Sequence, residues 1–171
     1  AADHYQGDGV VIAILDTGVF SAHPAMAGRL ILAGATPDLI DEDRDPSDIG
    51  PGVGWGHGTH VAGIVAHIAP GANLMPIRVL DANGRGNTFV LAYAFEYAVT
   101  NGADIINLSL GADCDSDVLK EAIEAALANN VLVVAAAGND GSTVPQCPAK
   151  YFGVIGVTAV RSDNSVPEWA N

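Results

Sequence analysis

The chain has 171 residues, 49% of them apolar and 16% charged, which is enough to bury a core and too apolar for disorder. With 20 acidic against 7 basic residues the formal charge is −13, and that argues against nucleic acid or anionic membrane as a partner, since phosphate binding needs clustered Lys and Arg. No apolar run approaches the roughly 18 residues of a membrane helix, and the residues from Ala1 do not read as a charged-then-apolar leader.

In chain order, the apolar run at 10–15 (VVIAIL) has strand length and stops at Asp16, Thr17 and Gly18. Runs that are apolar throughout suit a parallel strand covered on both faces. A shorter run at 30–33 predicts another strand. Asp41, Glu42, Asp43, Arg44, Asp45, Pro46, Ser47 and Asp48 follow as an acidic stretch. It is either a solvated loop or, with carboxylates at alternate positions, a source of oxygen ligands for calcium. Gly52, Gly54, Gly56 and Gly58 surround His57 and allow close backbone approach. Residues 58–68 predict a buried helix with Thr59 as its cap. His57 then stands at a helix N-terminus, where the dipole disfavours imidazolium and keeps the ring neutral.

Strands at 74–80, 104–110, 131–137 and 154–160 alternate with helices at 88–100 and 117–129. The last helix has apolar residues at helical spacing in Leu119, Ile123, Ala126 and Leu127, with Asp115, Ser116 and Asp117 to cap it. This alternation predicts an α/β fold with a parallel, doubly wound sheet and helices on both faces, within one domain spanning 1–171. Cys114 and Cys147 each follow a predicted strand end, so their loops are able to meet in one disulfide. Two buried free thiols are the alternative.

The strands ending at Asp16 and at Gly138-Asn139 matter together. In open α/β sheets the ligand crevice lies outside the carboxyl ends of the strands. An aspartate to orient a histidine, a histidine to act as base and an amide to hold an oxyanion are three parts of an acyl-transfer site. A lone His57 would read more simply as a core histidine; Asp16 and Asn139 change that reading.

On these motifs the chain resembles the subtilisin-like serine proteases, the subtilase family. The text at 11–19 (VIAILDTGV), 56–63 (GHGTHVAG) and 135–139 (AAAGN) matches the family's motifs in the family's order. Smaller matches lie between them: His23-Pro24, 69–72 (APGA) and 107–111 (NLSLG). The resemblance implies Asp16 as the orienting carboxylate, His57 as general base and Asn139 as oxyanion donor. It implies that a peptide lies as a strand between Gly84, Arg85, Gly86 and Ser109, Leu110, Gly111. Ala136, Ala137 and Gly138, with Ala135, would wall the pocket for the residue before the scissile bond. Calcium at Asp41, Asp43, Asp45 and Asp48 follows from the same resemblance. The separate calcium loop that interrupts the family's first long helix is expected to be absent, because His67 and Ile68 run directly into Ala69, Pro70 and Gly71. Peptide or protein substrates and a secreted or periplasmic location are implied likewise.

One part has no counterpart. The family's serine opens a later helix in a Gly-Thr-Ser-Met or Gly-Thr-Ser-Ala sequence, which this chain lacks. Gly141, Ser142 and Thr143 run in the wrong order and too close to Asn139. The expectation is therefore a C-terminally incomplete catalytic domain, inactive by itself, whose exposed sheet edges invite self-association. A non-catalytic subtilase-fold module for binding or assembly is the rival that survives. An aspartic protease would need a second DTG or DSG to share a proton between two carboxylates. A phosphate-transferring enzyme with Asp16 as nucleophile fails at Gly18, and His57 with His60 would offer a metal only two ligands.

Overall fold

The computed structural model describes residues 5–31 and 37–171. Strands β1 (Val11–Asp16), β2 (Asn73–Arg78), β3 (Ile105–Leu108), β4 (Leu132–Ala136) and β5 (Ile155–Val157) form one parallel sheet in the order β2-β1-β3-β4-β5. β1 sets Asp16 opposite Arg78 on one side and Ile14 opposite Asn107 on the other. From β1 the chain first winds outward to β2 and then back past β1 to β3. The reversal makes the carboxyl end of β1 the crevice at which such sheets bind ligands.

α1 (His57–Ile68) covers one face, where Ala62 and Ala66 pack with Ile12, Ile14 and Leu74. The short 3-10 turn Pro24–Met26 joins the same layer through Met26. α2 (Thr88–Thr100) and α3 (Asp117–Ala128) cover the opposite face, setting Phe95, Ala98, Ile123 and Ala126 against Ala13, Leu15, Ile106 and Val133. Successive strand residues point to opposite faces. A strand covered on both therefore needs apolar side chains at every position, which is why 11–15 reads VIAIL. The caps are local: Asn87 accepts from the Val90 N–H and starts α2, and Ser116 accepts from the Leu119 N–H and starts α3.

Some boundaries differ from expectation. The strand predicted at 104–110 stops at Leu108 because Ser109, Leu110 and Gly111 leave the sheet. The one predicted at 154–160 shrinks to Ile155–Val157, an edge strand whose three residues are all exposed and gain little by extension. The strand expected at 30–33 falls partly outside the described residues; Leu30 makes a single parallel bridge to Leu74. α1 runs unbroken to Ile68.

Cys114 and Cys147 are joined in a disulfide. Beside it Ala112 and Cys147 exchange backbone hydrogen bonds of 3.1 and 3.0 Å. The segment after β3 is thereby tied to the loop after β4, and the alternative of two free thiols falls. Among the described residues no helix is long and apolar enough to cross a membrane.

Candidate active site

Asp16, the last residue of β1, is only 1% exposed. Its Oδ1 accepts from the Thr17 N–H at 2.7 Å and lies 2.7 Å from His57 Nδ1. A carboxylate only accepts, so this contact holds the imidazole proton on Nδ1 and leaves Nε2 as the acceptor. The His57 side chain is 46% exposed, open enough to meet a reactant. Asp16 Oδ2 is buried and has no hydrogen-bond partner among the described residues.

The approach of the two residues depends on Gly58. A Cβ there would fall 2.2 Å from the Gly18 carbonyl oxygen and 3.1 Å from Asp16 Cβ. Only glycine lets the first turn of α1 lie directly on the turn that follows β1. Gly56, at φ +88°, supplies the left-handed residue from which the helix starts.

The cap of α1 corrects the expectation for Thr59, which lies inside the helix. Gly56 is the N-cap residue and has no side chain to offer. The acceptors come instead from Asp48, which takes the N–H groups of Gly56 and Thr59, and from Thr17, whose hydroxyl takes that of Gly58. The shift at His57 runs opposite to the one expected from the helix dipole. The hydrogen bond to Asp16 raises its pKa above the usual histidine value; burial opposes this, and the charges of Asp16 and Asp48 add to the rise.

Asp81 builds the second part of the crevice. Its Oδ1 accepts from the N–H groups of Asn83 and Arg85 at 2.8 and 2.9 Å, projecting Gly84, Arg85 and Gly86 into solvent. The Arg85 N–H above all holds the Asp81 carboxyl below the ordinary range. Gly84, Arg85 and Gly86 share with Leu110 and Gly111 a cavity of about 270 Å³, floored by Leu80 and Leu119. Ser109 lies outside that lining and accepts from Asn107 Nδ2 at 3.1 Å.

Asn139 is exposed just beyond the carboxyl end of β4. β4 is two strands from β1 in the sheet, about 10 Å across. The loop it begins is clasped by Asn171, whose Oδ1 accepts from the N–H groups of Asp140 and Ser142 at 2.8 and 3.1 Å. Ala136 and Gly138 are half-buried, whereas Ala137 turns inward and is buried.

A sequence profile described as the subtilase family matches residues 7–171. The chain belongs to the subtilase family. It is 40% identical to a thermophilic serine proteinase of Bacillus sp. (strain AK1), over 95% of this chain and 41% of that protein. It is 39% identical to thermitase of Thermoactinomyces vulgaris, over 96% of this chain and 60% of that protein. Among solved structures, a cold-adapted subtilisin-like serine proteinase matches with a TM-score of 0.84 at 28% identity, covering 98% of this chain and 61% of that one. A lanthipeptide protease matches with a TM-score of 0.86 at 26% identity, covering 98% and 54%. The chain thus spans between two fifths and two thirds of the length of these relatives.

Within this subtilase the four carboxylates expected to bind calcium do other work. Asp48 caps α1, Asp41 pairs with Arg78 at 2.5 Å, Asp43 accepts from the Asp45 N–H, and Asp45 accepts from the Ser47 hydroxyl. Among the described residues no three of His, Cys, Asp and Glu are grouped to hold a metal ion. No step of the chemistry is routed through a metal ion.

Sequence reasoning missed Asp81, Asn171 and the part Asp48 plays at the start of α1. Asp81-Ala82-Asn83-Gly84 carries an Asx-turn pattern that was there to be read. Asp48 and Asn171 act through contacts distant in sequence, for which no local pattern exists.

Proposed function

We propose that this chain is the part of a subtilisin-type serine endopeptidase that carries the general base and the oxyanion donor. The observation behind the proposal is the 2.7 Å contact between His57 Nδ1 and buried Asp16 at the crevice of the sheet. In the complete site His57 Nε2 takes the proton of a serine hydroxyl as that oxygen attacks the peptide carbonyl. Asp16 stabilises the imidazolium that forms, and the same nitrogen then protonates the leaving amine. The side-chain amide of Asn139 donates to the tetrahedral oxyanion. A peptide or protein substrate pairs its main chain with Gly84–Gly86 and Ser109–Gly111, and the small residues Ala136 and Gly138 border the pocket beside the scissile bond.

Asp16, His57 and Asn139 do not include a nucleophile, and the chain by itself does not hydrolyse peptides. Loss of the nucleophile costs about 2 × 10⁶ in kcat, a magnitude obtained on a subtilisin. The disulfide supports export to an oxidising compartment. The exposed β5 edge supports self-association of the isolated chain. A non-catalytic binding module of the same fold is the second reading. Coding sequence beyond Asn171 that contains a Gly-Thr-Ser motif would exclude it.

Treatment with a serine-directed fluorophosphonate tests the assignment. The expected result is no labelling and no turnover of peptide substrates. Labelling of Ser142, or of any other serine, would overturn it.

A further inference from the structure

Asp48 does more than end an acidic loop. It is 9% exposed, and both of its oxygens are used. Oδ1 accepts from the Gly56 N–H at 3.0 Å and from the Thr17 hydroxyl at 3.3 Å. Oδ2 accepts from the Thr59 N–H at 3.2 Å and from the Thr59 hydroxyl at 2.8 Å. Thr17 Oγ1 in turn accepts from the Gly58 N–H at 3.0 Å, and Thr59 Oγ1 from the Phe20 N–H at 2.9 Å. The His57 N–H goes to the Gly54 carbonyl at 3.0 Å. Every N–H from Gly56 to Thr59 therefore has an acceptor outside the helix ladder, and two of them end on this one carboxylate.

We propose that Asp48 is a positioning residue for His57: it fixes the helix start on which the imidazole stands, ties that start to the turn beside Asp16, and cancels the positive helix end next to the ring. Thr17 is the link, since it is adjacent to Asp16 and bonded to both Asp48 and Gly58. A helix N-terminus left bare would favour the neutral imidazole. A buried carboxylate there reverses the local field and acts in the same sense as Asp16, in accord with its contribution at His57. The charged groups acting on the ring are Asp16 from β1 and Asp48 from the preceding loop. His60 on α1 and His23 at the turn packed against it border the neighbouring cleft. The nine residues from Asp48 to Gly56 are thus closed on themselves by the Gly56-to-Asp48 bond.

The proposal rests on His57 being the general base. Its test reads the imidazole and the amides in this chain and needs no turnover, so failure here and failure of the protease reading are seen separately. The His57 ring is titrated by NMR, and amide exchange is followed at Gly56, Gly58 and Thr59, in the unaltered chain, Asp48→Asn and Thr59→Ala. In Asp48→Asn, His57 titrates at lower pH than in the unaltered chain and the first-turn amides exchange about fivefold faster, the ratio set by a cap of ordinary strength. In Thr59→Ala the charge stays while the hydroxyl contacts go; the amides exchange faster and the His57 titration stays near that of the unaltered chain. Should Asp48→Asn not fold, Thr59→Ala carries the test. A folded Asp48→Asn chain with unchanged His57 titration would overturn the proposal, as would unchanged amide exchange in Thr59→Ala.

Discussion

Asp16 and His57 are 41 residues apart in sequence and 2.7 Å apart in space. The pairing is made by the close fit of α1 on the end of β1. It gives stability as well as chemistry, because an imidazole bonded to a buried carboxylate binds its proton more tightly than a free one.

The sign of the resulting pH dependence follows from linkage. His57 has a raised pKa in the folded chain, against the ordinary 6.5. Its contribution to stability is fully present below pH 6.5 and is lost as pH rises through the elevated folded value. Urea midpoints measured across that window should fall for the unaltered chain, and Asp16→Asn should remove that part of the fall. Equal pH dependence in the two chains would contradict the pairing.

Gly58→Ala tests the fit directly. The added methyl meets the Gly18 carbonyl and must push the helix away from Asp16. The expected cost is about 1–3 kcal/mol, measured by urea unfolding. The His57 titration should move at the same time toward that of Asp16→Asn. A neutral substitution would mean that helix and turn are not in contact.

Arg78 offers a contrast between two partners of one guanidinium. Its Nη1 is 2.5 Å from both Asp38 and Asp41, whose side chains are 0% and 50% exposed. Burial works against the charge of Arg78, and the bonds to Asp41 and Asp38 outweigh it, leaving its pKa raised. Arg78→Met strands the buried Asp38 and should cost about 3–5 kcal/mol. Asp41→Ala removes an exposed partner and should cost less than about 1 kcal/mol. Equal losses in denaturant melts would show that burial does not decide the matter.

Reduction of the Cys114–Cys147 disulfide frees a closed loop spanning 33 positions. Chain entropy puts the loss near 3–4 kcal/mol. Melts with and without a thiol reductant measure it, and no change would mean that the Ala112–Cys147 pairing alone holds the two loops together.

Much of this was legible in the sequence because the signals were local. The VIAIL run needs two covered faces and has them; Asn87 and Ser116 sit next to the helices they cap. Asp16, His57 and Asn139 each lie in a motif, and the fit of α1 on the end of β1 brings the first two together. What could not be read was long-range. The acidic stretch looked like one calcium loop, yet Asp41 serves Arg78 and Asp48 serves α1, because a helix start and a buried guanidinium offer partners that no spacing reveals. Thr59 looked like a cap because it is the first hydroxyl in the helical text; the cap is Gly56, and the acceptors come from elsewhere in the chain.

Asp16 holds the His57 ring with its proton on Nδ1 and Nε2 open. NMR titration of the His57 ring in the unaltered chain and in Asp16→Asn tests it most directly. His57 should titrate above 6.5 in the unaltered chain and at lower pH once the carboxylate is removed. Identical titration curves would contradict it.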